Sequence, residues 1–595
     1  MSHRAPGDLL TLPLQPLLAT VRGYTPAKLR ADLLAGLTLC IQAIPQSMAY
    51  ALIAGVAPIY GLYGIIVQGL VASALTSSSH VSIGPTNAMS LLVASVITRI
   101  EGGTGTDFLA TYAMLALMAG LIQIIFALAR LGGLTRYVSQ SVIVGFAAGA
   151  GTLIAFNQVP NVLGVPAERA ESDLPGLIGL IQRFAPHVDA VNWRAVLIGL
   201  LSLAAVITCR WLTPRIPGPL VAVVVGMAIV VAAGWGGQHV DLVGELPREL
   251  PEPVAFDLSW QKIQMMVGGA MAVALLGMIE PVMMGRSIAS KTGERIHPNR
   301  EFMSVGAANL AGCWIGCYPA SSSYVRSALA QAAGGKTRFA GIFSSLFVVL
   351  FILLLAPVGR FLPLASLAAI LLVVAYSLID WRHIRRLART SRADTLVCLI
   401  TLAAALVTHL EYAIFIGVFL NLALYVHNAS RLHLAQMVPT QAGPFVERPV
   451  SDRLGGRRVM FLQVEGDLFF GVADELQDQL SRLMAGGMRI AILRLKRTHL
   501  IDATVMGVLE RFAREMQSRG GDVLLCGVRP EMFDQFERFG LSEAIGRDNI
   551  FAAGFGVFTS AKRALSRARE LAGRSLDVEG LDLEDDPGET IDFQI

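Results

Sequence analysis

The chain is 595 residues long, 54% hydrophobic and only 15% charged, with a formal net charge of +4. Those proportions exclude a soluble enzyme and specify a polytopic membrane protein. The six cysteines (Cys40, Cys209, Cys313, Cys317, Cys398 and Cys526) are scattered, mostly in apolar runs, which suits buried thiols rather than a disulfide framework.

The first 30 residues lack a cleavable signal pattern and read as a cytoplasmic N-terminal segment, with Arg22, Lys28 and Arg30 just before the first apolar run. Runs long enough for membrane helices follow at 31–54, 57–76, 84–99, 108–130, 136–158, 193–212 and 217–235. After a polar, proline-bearing loop (245–260), seven more fall at 261–290, 301–319, 322–334, 339–358, 363–380, 393–409 and 411–430. An even total puts both termini on one side of the membrane. Loops on that side are rich in basic residues, from Arg130 and Arg136 through Arg286, Lys291, Arg295 and Arg300 to Arg382, Arg385, Arg386, Arg389 and Arg392, so that side is expected to be cytoplasmic. Opposite loops carry acids such as Glu168, Glu171, Asp173, Asp241, Glu245, Glu249 and Glu252.

A seven-helix repeat reverses its orientation on duplication, and inverted repeats are the architecture of secondary transporters, whose sites lie where corresponding helices are short or broken. The third segment of each half fits. Segment three opens with Ser82-Ile83-Gly84-Pro85-Thr86-Asn87, which places Gly84 near an N-cap and Pro85 at a first helical position. Segment ten opens with Pro319-Ala320-Ser321-Ser322-Ser323-Tyr324-Val325-Arg326, and a short helix is expected to begin near Ser322. Two helix N-termini and an arginine at membrane depth suit an anion. The bland alternative is that Arg326 snorkels to the interface.

Segment one adds Gln42 and Gln46, four apart on one helix face, with Pro45 freeing backbone carbonyls beside them. The two amides serve either as glue between helices or as ligand lining. Segment eight carries Glu280-Pro281 about midway along its apolar run. Three roles compete for Glu280: proton acceptor in coupled transport, counter-ion for Arg326, or a carboxyl that stays buried and neutral. Cys313 and Cys317 are four apart, but no His or further Cys completes a metal set, so packing is the expected role.

From about residue 457 the composition becomes that of a soluble α/β domain, after a linker placed at 436–456. Candidate strands at 459–464, 490–495 and 523–526 alternate with candidate helices at 473–485, 504–519, 531–539 and 557–572. The tail, 574–595, is acidic and too polar to pack a core. No phosphate-binding loop, dinucleotide fingerprint, metal cluster or nucleophile elbow occurs, so a catalytic or ATP-driven reading lacks its parts, and neither cofactor nor nucleic-acid partner is expected.

The stretch Pro45-Gln-Ser-Met-Ala-Tyr50-Ala-Leu-Ile-Ala54-Gly-Val-Ala-Pro58-Ile-Tyr-Gly61-Leu62-Tyr63 resembles the signature of the sulfate permease (SulP) family, which includes solute carrier family 26. The likeness continues through Glu280, Asn309 to Gly312, Ser321 to Arg326 and Ala333 to Thr337. The resemblance implies fourteen helices as inverted seven-helix repeats, as in the uracil permeases, within 31–435. A core domain of segments one to four and eight to eleven would move like an elevator against a gate domain of the remainder. An anion (sulfate, a dicarboxylate or bicarbonate) would sit between segments three and ten. Arg326, Ser322, Ser323, Ile83, Gly84, Thr86, Asn87, Gln42 and Gln46 would line its site, and Glu280 would couple transport to a proton or, alternatively, sodium. A homodimer in the cell membrane, the inner membrane of a bacterium, is expected on the same grounds. The region 457–573 resembles the STAS domain around His499-Leu-Ile501-Asp502-Ala-Thr504-Val-Met-Gly507. In the anti-sigma factor antagonists a serine at the place of Thr504 is phosphorylated at a helix N-terminus; Asp502 or Thr504 acting as a plain helix cap is the favoured reading, with a regulatory site and a cytoplasmic protein partner of the domain as the alternative. The rivals are a nucleobase permease on the same fold, an anion channel or uncoupled exchanger, and a membrane-anchored signalling protein.

Overall fold

The computed structural model describes residues 15–101, 108–136, 138–165, 177–178, 181–182, 190–212, 217–236, 239–245, 247, 252–255, 258–439, 445–450, 459–554 and 558–573. The acidic tail and the loop acids Glu168, Glu171, Asp173 and Glu249 lie outside them. The chain divides into two compact units, Met1–Leu422 and Ala423–Ile595.

Among the described residues the first unit is built on fourteen main helices, here α1 (Pro26–Ala54), α2 (Pro58–Leu75), α3 (Asn87–Glu101), α4 (Phe108–Leu128), α5 (Gln140–Leu163), α6 (Trp193–Leu212), α7 (Gly218–Ala233), α8 (Trp260–Thr292), α9 (Pro298–Cys313), α10 (Tyr324–Ala332), α11 (Phe339–Leu355), α12 (Leu364–Leu378), α13 (Arg392–Val407) and α14 (Leu410–Ala429, whose last residues pass into the second unit). A short helix, Gln15–Arg22, precedes α1, and another, Trp381–Thr390, joins α12 to α13. Among the described residues, seven helical stretches are long and apolar enough to cross a membrane by length and composition. At 9 residues α10 spans only about 13 Å, less than half of a bilayer core.

Local chemistry sets the boundaries. Thr25 caps α1 by accepting from Lys28 N, Pro26 takes the first turn, and Gly55, with φ of 83°, ends it. The helix therefore starts before the apolar run does, because capping and not hydropathy decides the first turn. A Cβ on Gly61 of α2 would overlap the Ser47 carbonyl of α1, so these helices touch backbone to backbone.

The packing has an internal two-fold. Shifting each label by seven carries α1 on α11 to α8 on α4, α2 on α11 to α9 on α4, α1 on α3 to α8 on α10, and α6 on α12 to α13 on α5, and each of these pairs packs. Both α3 and α10 follow a two-residue strand, β1 (Ile83–Gly84) and β2 (Ser321–Ser322), and these pair antiparallel, Ile83 opposite Ser322 and Gly84 opposite Ser321. The two halves thus meet at their symmetry-related breaks. Helices α1–α4 and α8–α11 pack among themselves, as do α5–α7 with α12 and α13; α1 meets α7 and α12, and α3 meets α5, across the boundary.

In the second unit a six-stranded sheet runs in the order β4-β3-β5-β6-β7-β8, from β3 (His433–Pro439), β4 (Phe445–Pro449), β5 (Val459–Leu468), β6 (Ile490–Ile501), β7 (Asp522–Val528) and β8 (Ile550–Ala552). The last four strands are parallel, and β3 is antiparallel to both its neighbours. One face packs on α15 (Phe470–Ala485), α16 (Ala503–Ser518) and α17 (Pro530–Phe539), the other on α18 (Thr559–Ala572). The span expected to be linker, 436–456, instead holds most of β3 and all of β4, since those strands extend the sheet edge that β5 would otherwise leave bare.

Candidate functional site

The site is built around the β1–β2 pairing, which Ser323 N extends by donating to Ser82 O at 2.9 Å. In β2, Ser321 and Ser322 are buried; the Ser321 hydroxyl faces the Glu280 carboxyl, and among the described residues the Ser322 hydroxyl has no hydrogen-bond partner. Ser323 instead caps α10, its Oγ accepting from Arg326 N at 3.4 Å. The helix therefore begins at Tyr324, two residues after Ser322. By general helix geometry the amides of Tyr324 and Val325 stand at its open end.

Arg326 is 1% exposed and does not snorkel. Its guanidinium reaches across to the other half, Nη1 donating to Pro85 O at 2.8 Å and Nε to Ser82 Oγ at 3.4 Å. Nη2 is buried without a partner. Tyr50 of α1 and Tyr318 before β2 interact electrostatically with this charge. A Cβ on Gly84 would lie 3.3 Å from Nη2 and 2.8 Å from Ile65 Cδ1, so the strand comes this close only with glycine there.

On the α3 side the expectation needs correcting. Gly84 is in a strand, not at an N-cap, and Pro85 is not helical; Thr86 closes the turn, its Oγ1 accepting from Met89 N at 3.4 Å and its carbonyl from Ser90 N at 2.9 Å. Asn87 is half-buried and accepts from Ala88 N at 2.9 Å. Pairing of β1 with β2 outweighs the usual preference of proline for a first turn. Gln46 is buried with Oε1 unpartnered, whereas Gln42 is half-buried. Glu280 lies on α8, which packs against β2, α3 and α10; its Oε2 is unpartnered, and the Ser321 hydroxyl interacts with its carboxyl. Arg326 and Glu280 form no ion pair, so the counter-ion role does not hold.

The supporting layer was not visible beforehand. Gln68, Gln123 and Asn309, all fully buried, form an amide relay. Gln68 Nε2 donates to Tyr318 O at 2.9 Å and Asn309 Oδ1 at 3.3 Å; Asn309 Oδ1 also accepts from Ala320 N at 2.8 Å, and its Nδ2 donates to Gln123 Oε1 at 2.9 Å. This holds the segment leading into β2. Buried Asp32 similarly fixes the turn after α10, accepting from Lys336 N at 2.7 Å, Thr337 N at 3.0 Å and Thr337 Oγ1 at 2.6 Å. The signal for both lies in the sequence as polar residues inside apolar runs, but most of the partners they find are 186 to 305 positions away.

The profile of the sulfate permease family matches residues 29–401, well over half of the chain. The chain belongs to the sulfate permease family. It is therefore a membrane transport protein and not an enzyme. A probable sulfate transporter of Mycobacterium tuberculosis is 29% identical over 545 residues, covering 90% of this permease and 96% of that protein. The fold is that of the murine solute carrier 26 family member A9 anion transporter, with a TM-score of 0.83, 21% identity and 96% of each chain covered. The transmembrane domain of a cyanobacterial bicarbonate transporter, BicA, superposes on 67% of this permease and 98% of that chain, with a TM-score of 0.59 and 22% identity. A STAS domain matches residues 453–553. In that domain Asp502 caps α16, accepting from Val505 N at 2.9 Å and also from Phe470 N at 2.6 Å, while Thr504 is exposed in the first turn.

Proposed function

We propose that this permease is a secondary active transporter of a small oxyanion, sulfate, a dicarboxylate or bicarbonate, coupled to protons. The observation that carries this is the set of buried polar atoms at and facing β2 that are left without full partners among the described residues, the Ser322 hydroxyl, Arg326 Nη2 and Glu280 Oε2, with Gln46 Oε1 likewise unpartnered on α1. Leaving such groups unsatisfied costs about 1–3 kcal/mol each, and an oxyanion bound there would take up the donors. Its negative charge would rest on the guanidinium and the α3 and α10 N-termini. The sulfate transporters among the relatives support the substrate class.

Glu280 supplies the coupling. A carboxylate beside a bound anion is repelled, so a proton on Glu280 both removes that repulsion and turns an acceptor into a donor to the anion. Carrying one net negative charge inward against about 100 mV costs about 2.3 kcal/mol, which a co-transported proton cancels. The group α1–α4 with α8–α11 would carry the anion as a body against the other six helices, with the N-terminus and the STAS domain in the cytoplasm and two copies forming a dimer.

Proteoliposomes loaded with labelled sulfate, succinate or bicarbonate, with imposed proton or sodium gradients, test this reading. Accumulation should follow the proton gradient, and Glu280→Gln should abolish it while preserving downhill exchange. Accumulation driven by sodium alone, or undiminished in the variant, contradicts the coupling role. Uptake of uracil in place of all three anions contradicts the substrate class.

A further inference from the structure

The helix Trp381–Thr390 has the sequence WRHIRRLART. Helical spacing puts Trp381, Ile384, Leu387 and Ala388 on one stripe and Arg382, Arg385, Arg386 and Arg389 on another. Both ends are fixed. Asp380 caps the start by accepting from His383 N at 2.9 Å, and Ser391 closes the end, its N donating to Leu387 O at 3.0 Å while its Oγ accepts from Asp394 N of α13 at 3.1 Å. Ile384 and Leu387 are half-buried, and the helix packs on α13 and α5.

The arginines have no such anchorage. Arg382, Arg385, Arg386 and Arg389 are exposed, as is Arg392 at the start of α13, and Trp381 is 54% exposed. Among the described residues none of the five pairs with a carboxylate. Their position is not free to vary, because α12 ends at Leu378 and α13 begins at Arg392. The helix is thus held between the ends of two apolar helices, a place that in a bilayer would bring it level with lipid headgroups. A cluster of four or more basic residues on an amphipathic helix at that level attracts anionic lipid, and planar guanidinium forks match phosphate oxygens. Tryptophan at the same level is a usual interfacial anchor.

We propose that the Trp381–Thr390 helix is a binding site for anionic phospholipid headgroups, whose phosphates are held by Arg382, Arg385, Arg386 and Arg389. Each arginine near the surface contributes about fivefold to headgroup affinity. The ligand is lipid rather than free phosphate, because Trp381, exposed at the start of the same helix, offers a contact that only an acyl-bearing ligand uses.

Native mass spectrometry of the full-length protein in detergent, with phosphatidylglycerol and phosphatidylcholine added in equal amounts, provides the test. The wild-type protein should retain phosphatidylglycerol in at least about tenfold excess. A variant with all four arginines changed to glutamine should retain the two lipids equally, and one with all four changed to lysine should keep a reduced preference, since it keeps the charge but loses the fork. An equal preference in the wild type, or an undiminished preference in the glutamine variant, overturns the proposal. Displacement of phosphatidylglycerol by inorganic phosphate alone would identify a site for free anions and overturn the lipid assignment.

Discussion

Arg326 illustrates how a single side chain joins two halves of a repeat. Its Nη1 and Nε are committed to Pro85 O and Ser82 Oγ, so its third nitrogen is aimed by those bonds. A lysine keeps the charge but cannot hold two acceptors of the opposite half and still present a donor. Arg326→Lys should therefore weaken anion binding about tenfold and leave the fold intact, measured as a rise in KM for uptake against a circular-dichroism control. Gly84→Ala should act in the same direction by a different route, since its Cβ would meet Ile65 and Arg326 Nη2. The arginine was legible in sequence as a charge in an apolar region. Its orientation was not, because the β1–β2 pairing that sets it involves residues more than 200 positions apart and only two residues per strand.

Between elements, two polar ties connect parts that sequence reading treats separately. Glu411 at the start of α14 is 1% exposed and takes hydrogen bonds from Ser95 at 2.9 Å and an ion pair from Arg99 at 3.3 Å, both on α3; Arg99 also donates to Tyr412 at 2.6 Å. Arg99 is 26% exposed but its removal leaves the buried Glu411 carboxylate without its cation, so Arg99→Ala should lower stability by about 1–3 kcal/mol, seen as a fall in Tm of the solubilised protein, while the double change with Glu411→Gln should recover part of it. The second tie joins the loop after α2 to the end of α8. His80 Nδ1 lies 3.5 Å from Glu294, its Nε2 faces Gly335 O at 3.1 Å, and Glu294 also accepts from Ser78 Oγ and Ser79 N. Burial works against ionisation of Glu294, but the bonds from His80 and Ser79 outweigh it and hold the carboxyl at about 2. Burial likewise disfavours charged His80, yet Glu294 raises its pKa above 6.5. Glu294 then contributes stability above about pH 4.5 that is lost as pH falls toward 2, and His80 contributes stability below 6.5 that is lost as pH rises through its raised value. Thermal stability should peak between about pH 5 and 6.5, and His80→Ala should remove the decline on the alkaline side. In the STAS domain, Asp502→Ala removes acceptors for two backbone amides and should cost about 1–2 kcal/mol, whereas Thr504, being exposed, should tolerate Thr504→Ala.

For the whole molecule, hydropathy recovered the helix order, and the odd number of helices per half already implied the inverted repeat that the packing shows. Apolar runs report which residues avoid water, so they locate helices well. They are silent on short breaks such as Ile83–Gly84 and on where a capped polar turn extends a helix, as at Thr25. The same silence covers β3 and β4, which look like linker in sequence: β3 is a strand because it pairs with β5 and β4 because it pairs with β3, outside the local pattern. Transport on the proposed reading depends on an oxyanion occupying the paired breaks and being held there by Arg326. Uptake of labelled sulfate, succinate and bicarbonate by proteoliposomes containing Arg326→Ala tests it most directly. The account predicts that every anion the wild-type protein carries is lost in the variant while the protein remains folded; undiminished uptake of any of them would contradict it.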